Sequence, residues 1–158
     1  MIITHGDVLN TDCWIIAHQV NCQGVMGGGL ARQIKDRYPD AYINYREYIE
    51  DYKDCNGTVP LGTILETRHG AREIWHVFGQ EFYGTDKQYT DYEAVEAAFK
   101  TRIRDYRCEN HIREAQIPIA IPLYFGCGLG GGDWSVMKSY LEQIEQDEDV
   151  LFIAYKYS

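Results

Sequence analysis

Two β-type apolar runs, residues 14–20 and 117–125, each pass directly into a glycine-rich loop and then into a helical stretch. The first loop is Asn21-Cys22-Gln23-Gly24-Val25-Met26-Gly27-Gly28-Gly29-Leu30, and the second is Gly126-Cys127-Gly128-Leu129-Gly130-Gly131-Gly132-Asp133. Glycine loses the most conformational freedom on folding, and an ordinary strand-to-helix turn needs only one or two of them. Such density therefore points to a backbone shape with a task. N–H groups at a helix start face an anion readily. Open α/β sheets bind ligands beyond the carboxyl ends of their strands, so two loops on that edge make one cleft with two walls, suited to a diphosphate or a sugar.

The rest of the chain fits a layered α/β class, as one domain without linker or repeat. Residues 1–4, 62–66, 73–78 and 150–157 read as further strands, the middle two joined at His69-Gly70-Ala71 as a candidate antiparallel pair. Helices are expected over residues 30–38, 40–54 after Pro39, 91–106, and from an Asp133 cap to about Gln146. In residues 91–106, Tyr92, Val95, Ala98, Phe99, Ile103 and Tyr106 share one stripe, with Glu96, Arg102 and Arg104 outside it. Tyr42, Tyr45, Tyr48 and Tyr52 form another, either core packing or a self-association face, so the expected state is a monomer or weak homodimer.

Composition removes several classes. With 24 acidic against 15 basic residues, a net charge of -9 repels a nucleic-acid backbone. A small nucleotide is still admissible, because backbone amides hold phosphates without basic side chains. No run approaches the roughly 18 apolar residues of a membrane span, and the N-terminus lacks signal-peptide features, so a cytoplasmic location is expected. Cys13, Cys22, Cys55, Cys108 and Cys127 are odd in number with no C-x-x-C pair, which reads as reduced, mostly structural thiols and no metal site. Gly126, Gly128 and Gly131 match G-x-G-x-x-G, yet that fingerprint belongs at a first strand with several strands behind it. Neither loop ends in Lys followed by Ser or Thr, so no P-loop is present.

Gly6-Asp7-Val8 after the first strand, His18-Gln19-Val20-Asn21 leading into Gly27-Gly28-Gly29, and Gly126-Cys127-Gly128 together resemble the macrodomain family over essentially the whole chain. The resemblance implies a three-layer α/β/α sandwich with a mixed, mostly parallel sheet and an ADP-ribose cleft. It matches Asp7 to an acid that receives the adenine amino group, with Val8 beside it, and Asn21 to an asparagine on the distal ribose. Gly24, Val25, Met26, Gly27, Gly28 and Gly29 match the loop around the distal ribose and phosphates. Phe125, Gly126, Cys127, Gly128, Leu129 and Gly130 match the diphosphate loop. Tyr155 matches an aromatic near adenine, with Tyr157 as its competitor. A capping role for Asp7 and loop-tying by Asn21 are the plainer readings of those two residues.

The stretch at residues 21–31, preceded by His18, most resembles the branch containing ADP-ribose 1″-phosphate phosphatases. Two related branches remove ADP-ribose from protein carboxylates or DNA bases and rely on a lysine where this chain has Gln80; one also uses an aspartate where it has Gly130. A glutamine amide cannot attack an anomeric carbon. His18 and Asn21 are the catalytic candidates, His18 for acid–base assistance and Asn21 for orientation, with Glu81 or Asp86 near enough in sequence to position water. The expected ligand is ADP-ribose or its 1″-phosphate, bound without cofactor. The alternatives are a non-catalytic ADP-ribose reader and a hydrolase acting on a modified macromolecule.

Overall fold

The computed structural model describes residues 1–157. Its strands are β1 (Ile2–His5), β2 (Ile15–Val20), β3 (Ile64–His69), β4 (Arg72–Phe78), β5 (Ile117–Pro122) and β6 (Val150–Lys156). Its helices are α1 (Gly29–Arg37), α2 (Pro39–Asp54), α3 (Tyr92–Asn110) and α4 (Trp134–Glu148), with a 3-10 turn at Val8–Asn10. The sheet order is β1-β6-β5-β2-β4-β3. All neighbouring pairs are parallel except β3 with β4, the hairpin turning at Gly70. The expected elements all form, with ends displaced by a few residues.

β2 and β5 are the two central strands. That placement explains their nearly continuous apolar character, since both faces are covered. One face carries α3 and α4 over a cluster that includes Ile15, Ala17, Trp75, Phe99, Ile119 and Phe152. The other carries α1 and α2 over two smaller clusters, around Ile16 and Ile74 and around Val20 and Phe78. The result is the α/β/α sandwich. Because β2 and β5 are neighbours, the two glycine loops leave the sheet side by side. Asp133 caps α4 as its sequence position suggests, its Oδ1 accepting from the Ser135 N–H at 2.8 Å.

Two expectations need correction, for Arg102 and for the cysteines, and one open alternative is decided. Arg102 is buried, its guanidinium pairing with Glu66 at 2.6 Å, Glu73 at 3.7 Å and Glu109. A single helix periodicity cannot reveal this, because two of its partners lie on β3 and β4. The tyrosine stripe is core packing: Tyr45 is fully buried, and Tyr42, Tyr48 and Tyr52 pack against the same cluster. The cysteines are all free, but only Cys13 and Cys22 are buried, while Cys55 and Cys108 are exposed. No described helix is long and apolar enough to cross a membrane.

Candidate functional site

A cleft of about 520 Å³ opens at the carboxyl edge of β2 and β5. Its walls are the first loop, through Asn21, Val25 and Gly27 to Gly29, and the second, through Gly126, Gly128, Leu129 and Gly130. His18, Gln19 and Gln80 close its floor, and Pro122, Leu123, Tyr124 and Tyr83 complete the rim. The loops meet: a Cβ built on Gly28 would lie 3.4 Å from Leu129 Cδ1. Among the described residues, the lining contains no Lys, Arg, Asp or Glu. An anion held here must be held by backbone N–H groups and neutral side chains.

The first loop is tied down by Asn21. Its Oδ1 accepts from the Gln23 N–H at 2.9 Å and the Tyr45 hydroxyl at 2.9 Å, and its Nδ2 donates to the Val25 carbonyl at 3.0 Å. Asn21 thus shapes the loop while also lining the cleft. Burial pushes the Tyr45 hydroxyl well above its ordinary pKa, so it stays a neutral donor. The second loop is held from beneath. Thr90 Oγ1 donates to the Gly126 carbonyl at 2.6 Å, and Gln19 Nε2 donates to Thr90 Oγ1 and to Gln80 Oε1, each at 2.8 Å. Gly128 has no protein atom within 4 Å of a built Cβ, so its backbone faces open cleft.

His18 lines the floor but is 2% exposed, and burial drives it from 6.5 to about 3. It is therefore neutral at physiological pH, with Nε2 2.7 Å from His76 Nδ1 and no protein partner on Nδ1. Gln80 donates from Nε2 to the Phe82 carbonyl at 2.8 Å and accepts from Gln19 on Oε1, so both ends of its amide hold scaffold contacts. Neither Glu81 nor Asp86 lines the cleft; Asp86 accepts instead from the Tyr89 hydroxyl at 2.7 Å.

Several expected ligand contacts lie elsewhere. Met26 is core, because the loop folds this long apolar side chain beneath itself against Tyr45 and Phe78. Val8 is likewise core, Gly24 faces Arg46, and Cys127 packs against the α3/α4 side. Phe125 borders the cleft while its ring packs against Phe99. Asp7 caps the 3-10 turn through the Leu9 N–H at 2.9 Å, and Tyr155 bonds Thr11 Oγ1 at 2.8 Å. Both stand outside the cleft lining, one sheet edge further along, where Tyr155 is in register with Pro122. The competing Tyr157 is 68% exposed. Sequence reading missed Gln19 and the Tyr83 and Tyr124 rim. A polar residue inside an apolar strand run was the available signal for Gln19; the two tyrosines carried none. The acids grouped closely enough for a cation, Glu66, Glu73 and Glu109, pair with the Arg102 guanidinium, away from the cleft.

A family profile described as Macro domain matches residues 17–141. The chain belongs to the macro domain family. As a macrodomain it is 31% identical over 156 residues to a DNA ADP-ribosyl glycohydrolase of Mycobacterium tuberculosis, covering 95% of this chain and 40% of that protein. It thus spans well under half the length of that relative. An ADP-ribose 1″-phosphate phosphatase of Candida albicans is 25% identical over 132 residues, covering 83% of this chain and 81% of that protein. The fold superposes on the macrodomain of Mycobacterium tuberculosis DarG with a TM-score of 0.75 at 27% identity, covering 98% of this chain and 97% of that one. Thermosipho africanus DarTG in complex with ADP-ribose gives a TM-score of 0.72 at 19% identity, over 96% of this chain and 40% of that one, a likeness of fold.

Proposed function

We propose that this macrodomain binds ADP-ribose between its two glycine loops and hydrolyses ADP-ribose 1″-phosphate to ADP-ribose and phosphate. The observation that carries the reading is the open backbone at Gly128, facing the 27–29 loop across a cleft whose lining has no carboxylate to repel a diphosphate. Asn21 would orient the distal ribose, and the Asp7 and Tyr155 edge would receive adenine. Rate would come from positioning and from neutral hydrogen-bond donors rather than from a charged nucleophile.

A second reading, removal of ADP-ribose from DNA, is favoured by the 31% identity to the Mycobacterium tuberculosis glycohydrolase. Two observations oppose it. The lysine position holds Gln80, which is hydrogen-bonded on both ends of its amide, and a charge of -9 repels a DNA backbone. Incubating the protein in parallel with ADP-ribose 1″-phosphate and with an ADP-ribosylated oligonucleotide separates the two. Phosphate release with an untouched oligonucleotide is the expected result. Release of ADP-ribose from the oligonucleotide alone would transfer the assignment to the second reading. A melting temperature unmoved by ADP-ribose would remove both.

A further inference from the structure

A row of polar groups crosses the sheet beneath α1 and α2, between the apolar clusters around Ile74 and around Phe78. His18 Nε2 lies 2.7 Å from His76 Nδ1, His76 Nε2 lies 2.9 Å from Thr67 Oγ1, and Thr67 Oγ1 lies 2.8 Å from His69 Nε2. His18, His76 and Thr67 are 2%, 0% and 3% exposed. The ends differ. His18 reaches the cleft floor, and its Nδ1 is a buried nitrogen without a partner. His69 is half-buried and borders a second cavity of about 350 Å³, shared with Tyr38, Asp12 and Arg72 at the opposite end of β2.

Each neutral imidazole or hydroxyl in the row donates once and accepts once, so the row has two self-consistent polarities. In the outward one, His18 Nε2–H donates to His76, His76 Nε2–H to Thr67, and the Thr67 hydroxyl to His69, which leaves a lone pair on His18 Nδ1, the buried ring nitrogen without a protein partner. In the inward one every donor reverses, and His18 presents Nδ1–H. We propose that His18, His76, Thr67 and His69 form a proton relay through which the cleft exchanges protons with solvent at the second cavity.

The step balances. A proton from water or substrate in the cleft joins His18 Nδ1 as His18 releases its Nε2 proton to His76 Nδ1. His76 then passes its Nε2 proton to Thr67, and the Thr67 hydroxyl proton moves to His69 Nε2. The charge ends on His69, whose second proton leaves to solvent. No buried imidazole has to hold a charge at rest, which burial forbids here: it holds His76 well below 6.5 as it does His18. His76 faces His18, Thr67 and the Tyr45 ring. His69 meets the Tyr38 ring at 4.7 Å and is paired with Arg72 across the hairpin; its partial burial lowers its pKa below 6.5, and nearby Asp40 offsets part of that. The two buried imidazoles satisfy each other and Thr67, and the group of the row left unsatisfied in the interior is His18 Nδ1.

The relay is tested without ligand by nuclear magnetic resonance of isotope-labelled histidine rings over a pH titration. As His69 protonates, His18 and His76 should exchange Nε2–H for Nδ1–H together, and in Thr67→Val their tautomers should no longer follow His69. A His18 tautomer that stays fixed across the His69 titration overturns the relay. A second arm rests on the proposed phosphatase reaction. His69→Ala should lower turnover of ADP-ribose 1″-phosphate by about tenfold with ADP-ribose affinity within about twofold, and added imidazole should restore turnover. Full turnover in folded His69→Ala also overturns the relay. Absence of turnover in the unaltered protein would count against the reaction alone, and the tautomer titration then decides.

Discussion

In the second glycine loop, a Cβ on Gly130 would fall 2.7 Å from the Gly126 carbonyl oxygen, one on Gly132 2.8 Å from the same oxygen, and one on Gly131 would overlap the Lys87 carbonyl. In the first, Gly27 and Gly28 would meet only side-chain carbons at 3.5 and 3.4 Å, and Gly29 would meet nothing within 4 Å. The compositions are alike, but the reasons differ. Most glycines of the second loop make room for the protein itself, where the 87–90 segment hydrogen-bonds Gly130 through the Tyr89 and Thr90 N–H groups. In the first, Gly27 and Gly28 meet no backbone, while Gly24 and Gly29 hold positive φ of +80° and +55°. Gly128 is the exception within the second loop, its Cβ position meeting open space. Glycine density alone therefore does not distinguish clearance for a ligand from clearance for a neighbouring loop of the protein.

The sharpest break of this comparison is Gly131→Val. Gly131 sits at φ +69° against backbone, so the substitution should cost about 3 kcal/mol or more of stability, read by urea unfolding. A cost below about 0.5 kcal/mol would mean that the loop moves freely and was never packed.

Acid should act on the layer beneath the first loop. The folded-state pKa of His18 is about 3 against an ordinary 6.5, so the folded protein binds fewer protons than the unfolded chain between those values. Stability is then fully present above pH 6.5 and falls as pH drops toward 3, with His18 contributing a slope of up to about 1.4 kcal/mol per pH unit. Hydrogen exchange in acid should rise first in α1 and α2 rather than in α3 and α4. Uniform loss across both layers would contradict the assignment of the acid-sensitive groups to the α1/α2 face.

Gly128→Val should give the reverse of Gly131→Val. Gly128 is not at positive φ and its Cβ would enter open space, so stability should hold within about 0.5 kcal/mol while ADP-ribose affinity falls by about tenfold or more. Calorimetry on a folded variant with unchanged affinity would make the second loop purely structural.

The smallest effect is expected from Asn21→Ala, which should lose about 1 kcal/mol of stability along with some affinity, because one amide serves both loop and cleft. Affinity loss without any change in melting would separate roles that the hydrogen bonds join.

Much of the site was legible because its cause is local. A strand ending in clustered glycines before a helix is visible in the chain order, and so is the Asp133 cap. The side chains that stand outside the cleft lining share a different origin. Met26 lies between residues of the cleft loop yet points into the core, and Asp7 spends an oxygen on its own turn. A contact list carried over by position cannot tell which way each side chain turns. Gln80 departs from the lysine of the related branches in the chain itself, but its engagement with Gln19 and Phe82 depends on three segments meeting.

The α/β class, the succession of elements and the two glycine loops follow from the order of residues alone, because apolar periodicity and backbone freedom act within a few residues. The adjacency of β2 and β5, the neutrality of His18 and its link to His76 and Thr67, and the burial of Arg102 among three glutamates arise only when the strands assemble. Those outcomes depend on desolvation and on partners supplied by other strands. Solvent exclusion is a property of the assembled layers and belongs to no single stretch of chain.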